Sequence, residues 1–280
     1  MGHRGRRHRP GPVRASRPPG GRVGAARRRG RPRPGRHRDR RQPPGPRPRT
    51  RSRPARRRGP AVRPRAVIVD FDGTVADTEW PEYLAVRDAF RAHGLELDPR
   101  DWVDVIGRAD HPHWTEMLAA ALGAPPDPGV VAAARRRREE AKKRVPLLPG
   151  VADLVAAVRR AGLGLGVASS SPSAWVTGHL ERLGVQVDVV RCRDHVDRAK
   201  PWPDVYLAAA AALDVDPADC LAVEDSRHGC RAAKAAGMVC VVVPNRLTVL
   251  DPPDDADLVC ESLTAFPFTR FGLDPGHAHA

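Results

Sequence analysis

Apolar and polar positions change character twice along this chain. Through residue 64 hardly any large apolar residue occurs, so that stretch has no periodicity to read. At 67–69 a β-branched run appears, the pattern of a short buried strand. The next seventy or so residues carry helical spacing only. They predict helices over 83–92 (closed by His93 and Gly94), 99–106 and 113–122, then a Pro-rich break at 125–128 and a basic helix over 130–144. Pro146, Pro149 and Gly150 end the excursion. Helices and strands then alternate: helix 151–161, strand 163–168, helix 173–183, strand 187–190, helix 204–213, strand 220–223, helix 227–236, strand 238–243 and a last strand at 258–259. Such alternation predicts an α/β fold, a doubly wound parallel sheet with right-handed crossovers and helices on both faces. The expected organisation is a lead at 1–64, a core at 65–77 and 149–268, an inserted helical segment at 78–148, and a flexible, signal-free tail at 269–280.

Composition separates the lead from the rest. The whole chain has a formal charge of +15, but residues 1–65 hold 25 Arg, no Lys and a single acid, Asp39. The remainder of the chain is acidic, with 23 basic against 32 acidic side chains. A stretch with 13 prolines and strong self-repulsion cannot build a core and is expected to be disordered. It could bind a polyanion such as nucleic acid in a salt-sensitive, sequence-blind way. It could equally be a targeting peptide, though it lacks an apolar h-region, or an appendage without function. The favoured expectation is that it is not translated and that the true start lies nearer Arg63, so nucleic acid is not expected as a partner unless the arm exists. The roughly 215 remaining residues suffice for one α/β core and a small insertion. Five cysteines at 192, 220, 230, 240 and 260 show no metal spacing, which points to a reduced, cytoplasmic setting. No apolar run approaches the roughly 20 residues of a membrane helix.

Candidate chemistry sits at the predicted strand ends, where open α/β sheets place their ligands. Asp70 and Asp72 follow the first strand and are followed at once by Gly73 and Thr74. Like charges so close need a cation or a reaction to justify them. A calcium loop is excluded, because its required Gly and Glu would fall at Val75 and Pro81; a plain turn remains open. Ser169 and Ser170 end the second strand before Pro172, where serine is usually only a helix cap, although free amides there also suit an anion. Lys200 stands in a Lys-Pro-Trp-Pro-Asp frame before an Ala-rich helix. Glu224 and Asp225 end a fourth apolar strand.

Taken in order, these segments resemble the four motifs of the haloacid dehalogenase-like (HAD) hydrolase superfamily, closest to its β-phosphoglucomutase-like and phosphoglycolate phosphatase-like branch. The resemblance implies a Rossmannoid core with a helical cap, and a Mg²⁺-dependent phosphatase acting on a small phosphorylated metabolite. Asp70 is then the nucleophile that becomes an aspartyl-phosphate, and Asp72 the general acid and base. It implies further that Ser169, Ser170, Lys200 and the Gly73–Thr74 turn hold phosphoryl oxygens. Asp70, the carbonyl of Asp72, Asp225 and Glu224 (directly or through water) would bind the ion.

Within the inserted segment the candidates for substrate contact are Glu82, Arg108, His111, His113 and one of the arginines 135–138, with Arg137 favoured. Four consecutive arginines cover most of a helix circumference, so most must face solvent. The resemblance also frames the alternative of a phosphosugar mutase. Glu82 stands where those enzymes carry a cap histidine, and Arg108 follows Gly107 directly, leaving Asp110 in the place of their arginine. Both departures favour the phosphatase. The protein is expected to be a monomer.

Overall fold

The computed structural model describes residues 63–274 and Gly276. The expectations placed on the lead therefore lie outside the described residues. Six strands form one parallel sheet in the order β3-β2-β1-β4-β5-β6. In chain order they are β1 (Ala66–Val69), β2 (Gly164–Ser169), β3 (Val189–Cys192), β4 (Cys220–Glu224), β5 (Val239–Val242) and β6 (Leu258–Val259). β1 lies between β2 and β4, pairing Val69 with Val167 on one side and Val223 on the other. The chain winds outward from β1 in both directions, which opens a crevice at the carboxyl ends of β1, β2 and β4.

Every residue of β1 and β4 is buried, as expected of strands covered on both faces. One face packs Val67, Val69, Leu165, Val167, Leu221 and Val223 under α5 (Val151–Arg160) and α6 (Ser173–Leu183). The other packs Ala66, Ile68, Ala168 and Ala222 under α7 (Asp204–Ala212) and α8 (Arg227–Ala235). Small alanines on these last two helices let them lie close to the sheet.

Four helices intervene between β1 and α5: α1 (Glu79–Ala92), α2 (Pro99–Val103), α3 (Trp114–Leu122) and α4 (Pro128–Lys143). They share an apolar cluster of their own around Val86, Phe90, Trp102, Trp114 and Leu118. α1 begins four residues before the expected start, because Pro81 falls in its first turn, where a missing N–H is harmless. α4 likewise begins at Pro128, with the Asp127 carboxylate capping the Val130 amide at 2.9 Å. α2 stops three residues short, in a turn that leads to Gly107 at φ 78°. β3 starts two residues later than periodicity suggests. Asp188, just before it, ties its carboxylate to the Leu165 amide at 2.8 Å and to Arg159 at 2.7 Å.

Over its described residues 269–274 the tail corrects the sequence reading. Phe271 and Leu273 are buried against Phe266 and Phe268 in the core, and Arg160 donates to the Asp274 carbonyl at 2.6 Å. The aromatic spacing at 266, 268 and 271 was the missed signal. Among the described residues no helix is long and apolar enough to cross a membrane.

Candidate active site

The residues at the carboxyl ends of β1 and β4 converge around one buried ammonium. Lys200 is 2% exposed. Its Nζ lies 2.5 Å from Asp70 Oδ1 and 2.5 Å from Glu224 Oε1. Tyr206, in the first turn of α7, donates its hydroxyl to the same Glu224 oxygen at 2.6 Å. The other Glu224 oxygen accepts the Asp225 amide at 3.2 Å and the Ser226 hydroxyl at 3.4 Å. Gly229 is required here, since a Cβ would fall 2.0 Å from the Glu224 carboxyl. Asp225 accepts from Asn245 Nδ2 at 2.7 Å.

Two of the three buried acids, Asp70 and Glu224, thus share one cation, with Asp225 beside them. Burial, with Glu224 and Asp72 close by, raises the Asp70 carboxyl to about 8 despite the Lys200 ammonium. Asp225 is pushed well above the carboxylate range by the same burial and by Asp70 and Glu224. Lys200 rises above its ordinary value, because the attraction of Asp70 and Glu224 outweighs its desolvation. Asp70, Glu224 and Asp225 each offer an oxygen, all within 4.8 Å of one another. Hard oxygen donors with excess negative charge fit a divalent cation such as Mg²⁺. Both Glu224 oxygens already have donors, so Asp70 and Asp225 are the freer ligands.

Above this floor, a cavity of about 460 Å³ separates the core from the helical layer. Asp70, Asp72, Ser169 and Ser170 line it from the core side, and Glu82, Arg108, His111, His113 and Arg138 from the other. Asp72 accepts from Ser171 Oγ at 2.6 Å, Trp175 Nε1 at 2.9 Å and Ser169 Oγ at 3.3 Å. Ser170 donates to the Gly107 carbonyl at 3.0 Å, joining the core to the roof. Glu79 also lines the cavity, and burial beside Glu82, Asp72 and Asp70 raises its carboxyl well above the usual range.

Several expectations are changed by the geometry. Arg137 does not reach the cavity: it is 63% exposed and pairs with Asp88 at 2.9 Å. One residue on, a rotation of 100° brings Arg138 inward instead, where it pairs with Glu82. Gly73 and Thr74 do not line this cavity but a smaller one of about 130 Å³ behind it. The Gly73 amide is bound to the Ala76 carbonyl at 2.8 Å and that of Thr74 to Phe71 at 3.4 Å. Gly73 serves the turn geometrically, since it has φ 81° and a Cβ there would meet Asp225 Oδ2 at 2.5 Å. Arg108 lines the cavity but is paired to Asp110 at 3.0 Å. His113 caps α3, its ring nitrogen 2.7 Å from the Thr115 hydroxyl. Sequence reasoning missed Ser171, Trp175, Tyr206, Asn245 and Glu79, and within the arginines 135–138 it favoured Arg137 over Arg138. The run of three serines and the tyrosine six positions after Lys200 were readable signals; Asn245 had none.

The haloacid dehalogenase-like hydrolase family model matches residues 64–237. The chain is 40% identical over 202 residues to the putative phosphatase YhcW of Bacillus subtilis, covering 71% of this chain and 92% of that protein. It is 33% identical over 206 residues to the N-acetylmuramic acid 6-phosphate phosphatase of Pseudomonas aeruginosa, covering 69% and 87%. Among solved structures it resembles CbbY from Rhodobacter sphaeroides, with a TM-score of 0.56, 30% identity and coverage of 71% and 95%. That protein has been crystallised with phosphate and, as a mutant, with xylulose-(1,5)bisphosphate. The chain thus belongs to the haloacid dehalogenase-like hydrolase family, in its β-phosphoglucomutase-like and phosphoglycolate phosphatase-like branch, and is an enzyme of the phosphoric monoester hydrolase class.

Proposed function

We propose that this enzyme is a Mg²⁺-dependent phosphatase that hydrolyses a small phosphorylated metabolite, a sugar phosphate in class, through an aspartyl-phosphate on Asp70. The observation that carries the reading is the Asp70 carboxylate, held 2.5 Å from the Lys200 ammonium at the floor of a cavity that also holds Asp72. A carboxylate can act as a covalent nucleophile. As the Asp70 oxygen bonds to phosphorus, the bond to the substrate oxygen breaks, and Asp72 gives that oxygen its proton. A water then bonds to the same phosphorus and the aspartyl oxygen leaves, while Asp72 takes the water's proton. Lys200 and Ser169 hold phosphoryl oxygens throughout, stabilising charge that the transition state spreads over them. Asp70, Asp225 and the Asp72 carbonyl would hold Mg²⁺, which neutralises charge on the phosphoryl group when bound.

Residues 78–148 serve as a cap over residues 65–77 and 149–268. Closing over the site, they exclude water and supply substrate contacts. The cavity's polar roof of Glu82, Arg108 and Arg138 suits a hydroxylated, anionic substrate. The sugar-phosphate class is supported by the name of the Pseudomonas aeruginosa relative and by the bisphosphate bound to CbbY. Asp70→Asn is expected to lower phosphate release from a panel of phosphorylated sugars, glycolate and nucleotides by at least about a thousandfold, measured as kcat. Unimpaired turnover by that variant rejects the reading.

A further inference from the structure

Trp175 stands on α6, outside the four motif segments. Its indole Nε1 donates to Asp72 Oδ1 at 2.9 Å. The second oxygen, Oδ2, takes the Ser171 hydroxyl at 2.6 Å and the Ser169 hydroxyl at 3.3 Å. These donors differ in what they allow. An indole N–H can only donate, whereas a hydroxyl can donate or accept. Oδ1 therefore acts as an acceptor whether or not the carboxyl carries a proton. Oδ2 is the oxygen whose neighbours can turn from donor to acceptor when a proton arrives.

The indole itself is held from two layers of the molecule. Its ring stacks on His179 with centroids 3.9 Å apart, and the Lys142 ammonium lies 5.4 Å from the ring centroid. His179 Nε2 in turn contacts the Lys142 carbonyl at 3.1 Å, at the end of α4. The donor to Asp72 is thus fixed jointly by a core helix and by the roof.

We propose that Trp175 is a positioning residue for the proton transfers of Asp72, fixing the plane of the carboxyl and confining its mobile proton to Oδ2. The proposal rests on the reading of Asp72 as proton donor and acceptor. In the first step the proton passes from Oδ2 to the leaving oxygen as its bond to phosphorus breaks. In the second it returns to Oδ2 from the attacking water. Trp175 neither gains nor loses a proton in either step.

The test compares two leaving groups that differ in their need for a proton. With the Mg²⁺-loaded enzyme, release of the phenol from p-nitrophenyl phosphate and from phenyl phosphate is measured in a single turnover, and KM in the steady state. Trp175→Phe keeps an aromatic ring and loses the N–H; 3-benzothienylalanine at 175 keeps the indole's shape and also lacks the donor, and carries the test if the Phe variant does not fold. The loss of rate is expected to be about tenfold greater on phenyl phosphate than on p-nitrophenyl phosphate, a part of the roughly hundred- to ten-thousandfold that proton transfer contributes, with KM little changed. Equal losses on both esters, a change in KM alone, or no change overturns the proposal. Asp72→Asn is the reference and should discriminate in the same sense, more strongly. If Asp72→Asn does not discriminate, the reading of Asp72 itself fails; if it does and both Trp175 variants do not, only the role of Trp175 fails.

Discussion

Lys200, buried beneath the cavity against Asp70, is 2% exposed and contacts two carboxylates, whereas Arg137, in the roof, is 63% exposed and contacts one. Both are cations paired with acids, yet their surroundings make them different objects. On the floor burial weakens solvent screening, so each group's protonation and position depend on its neighbours. Removing one partner there strands the others. In the roof, solvent screens pairs such as Arg137–Asp88 and Lys143–Glu140, which contribute little to stability. The floor should therefore tolerate little change, and the exposed pairs of the roof much more.

The sharpest way to break this contrast is Lys200→Ala. It leaves Asp70 and Glu224 buried without their shared ammonium, and should cost about 3–5 kcal/mol of stability as well as turnover. Thermal or urea unfolding checks it. A loss below about 1 kcal/mol, the range of an exposed pair, would show the floor to be no different from the roof.

The second test uses protons. A carboxyl whose folded value is raised, as in Asp70 at about 8, binds its proton more tightly in the folded than in the unfolded state. Without metal the folded protein then holds the extra protons from roughly pH 4 to 8, and its stability falls as pH rises through that window. Binding Mg²⁺ requires the carboxylates, so it should release protons and tighten as pH rises toward 8. Calorimetric titration of Mg²⁺ at fixed pH in two buffers of different ionisation heat measures this release. Heats independent of the buffer would contradict the raised floor.

The smallest effects separate neighbours within the roof. Arg138→Ala should raise KM about tenfold for the phosphorylated substrate, while Arg137→Ala should leave KM unchanged and shift stability by less than about 0.5 kcal/mol. Equal effects of the two variants would mean that the roof arginines act only as a diffuse field.

The same contrast explains what could be read from the chain. Asp70, Ser169, Lys200 and Glu224–Asp225 each follow an apolar strand or precede a helix at fixed offsets, and the parallel sheet dictates that strand ends meet. Local pattern and tertiary position agree there, so both fold and floor were legible. Arg137 and Arg138 differ by one step around a helix, and the choice between them depends on how α4 packs against α1. No periodicity within four consecutive arginines records that packing. Gly73 and Thr74 were legible as a turn, but which way the turn's amides point is set by their bonds to Ala76 and Phe71. Trp175 escaped notice because its partner, Asp72, lies 103 positions away.

The central claim is that Asp70 itself carries the phosphoryl group during turnover. Acid-quenching the Mg²⁺-loaded enzyme within the first turnover, followed by peptide mass spectrometry, tests it directly. The account predicts a phosphoryl adduct on the peptide containing Asp70, absent from Asp70→Asn and accumulating in Asp72→Ala. A working enzyme that shows no adduct, or bears it on another residue, would contradict it.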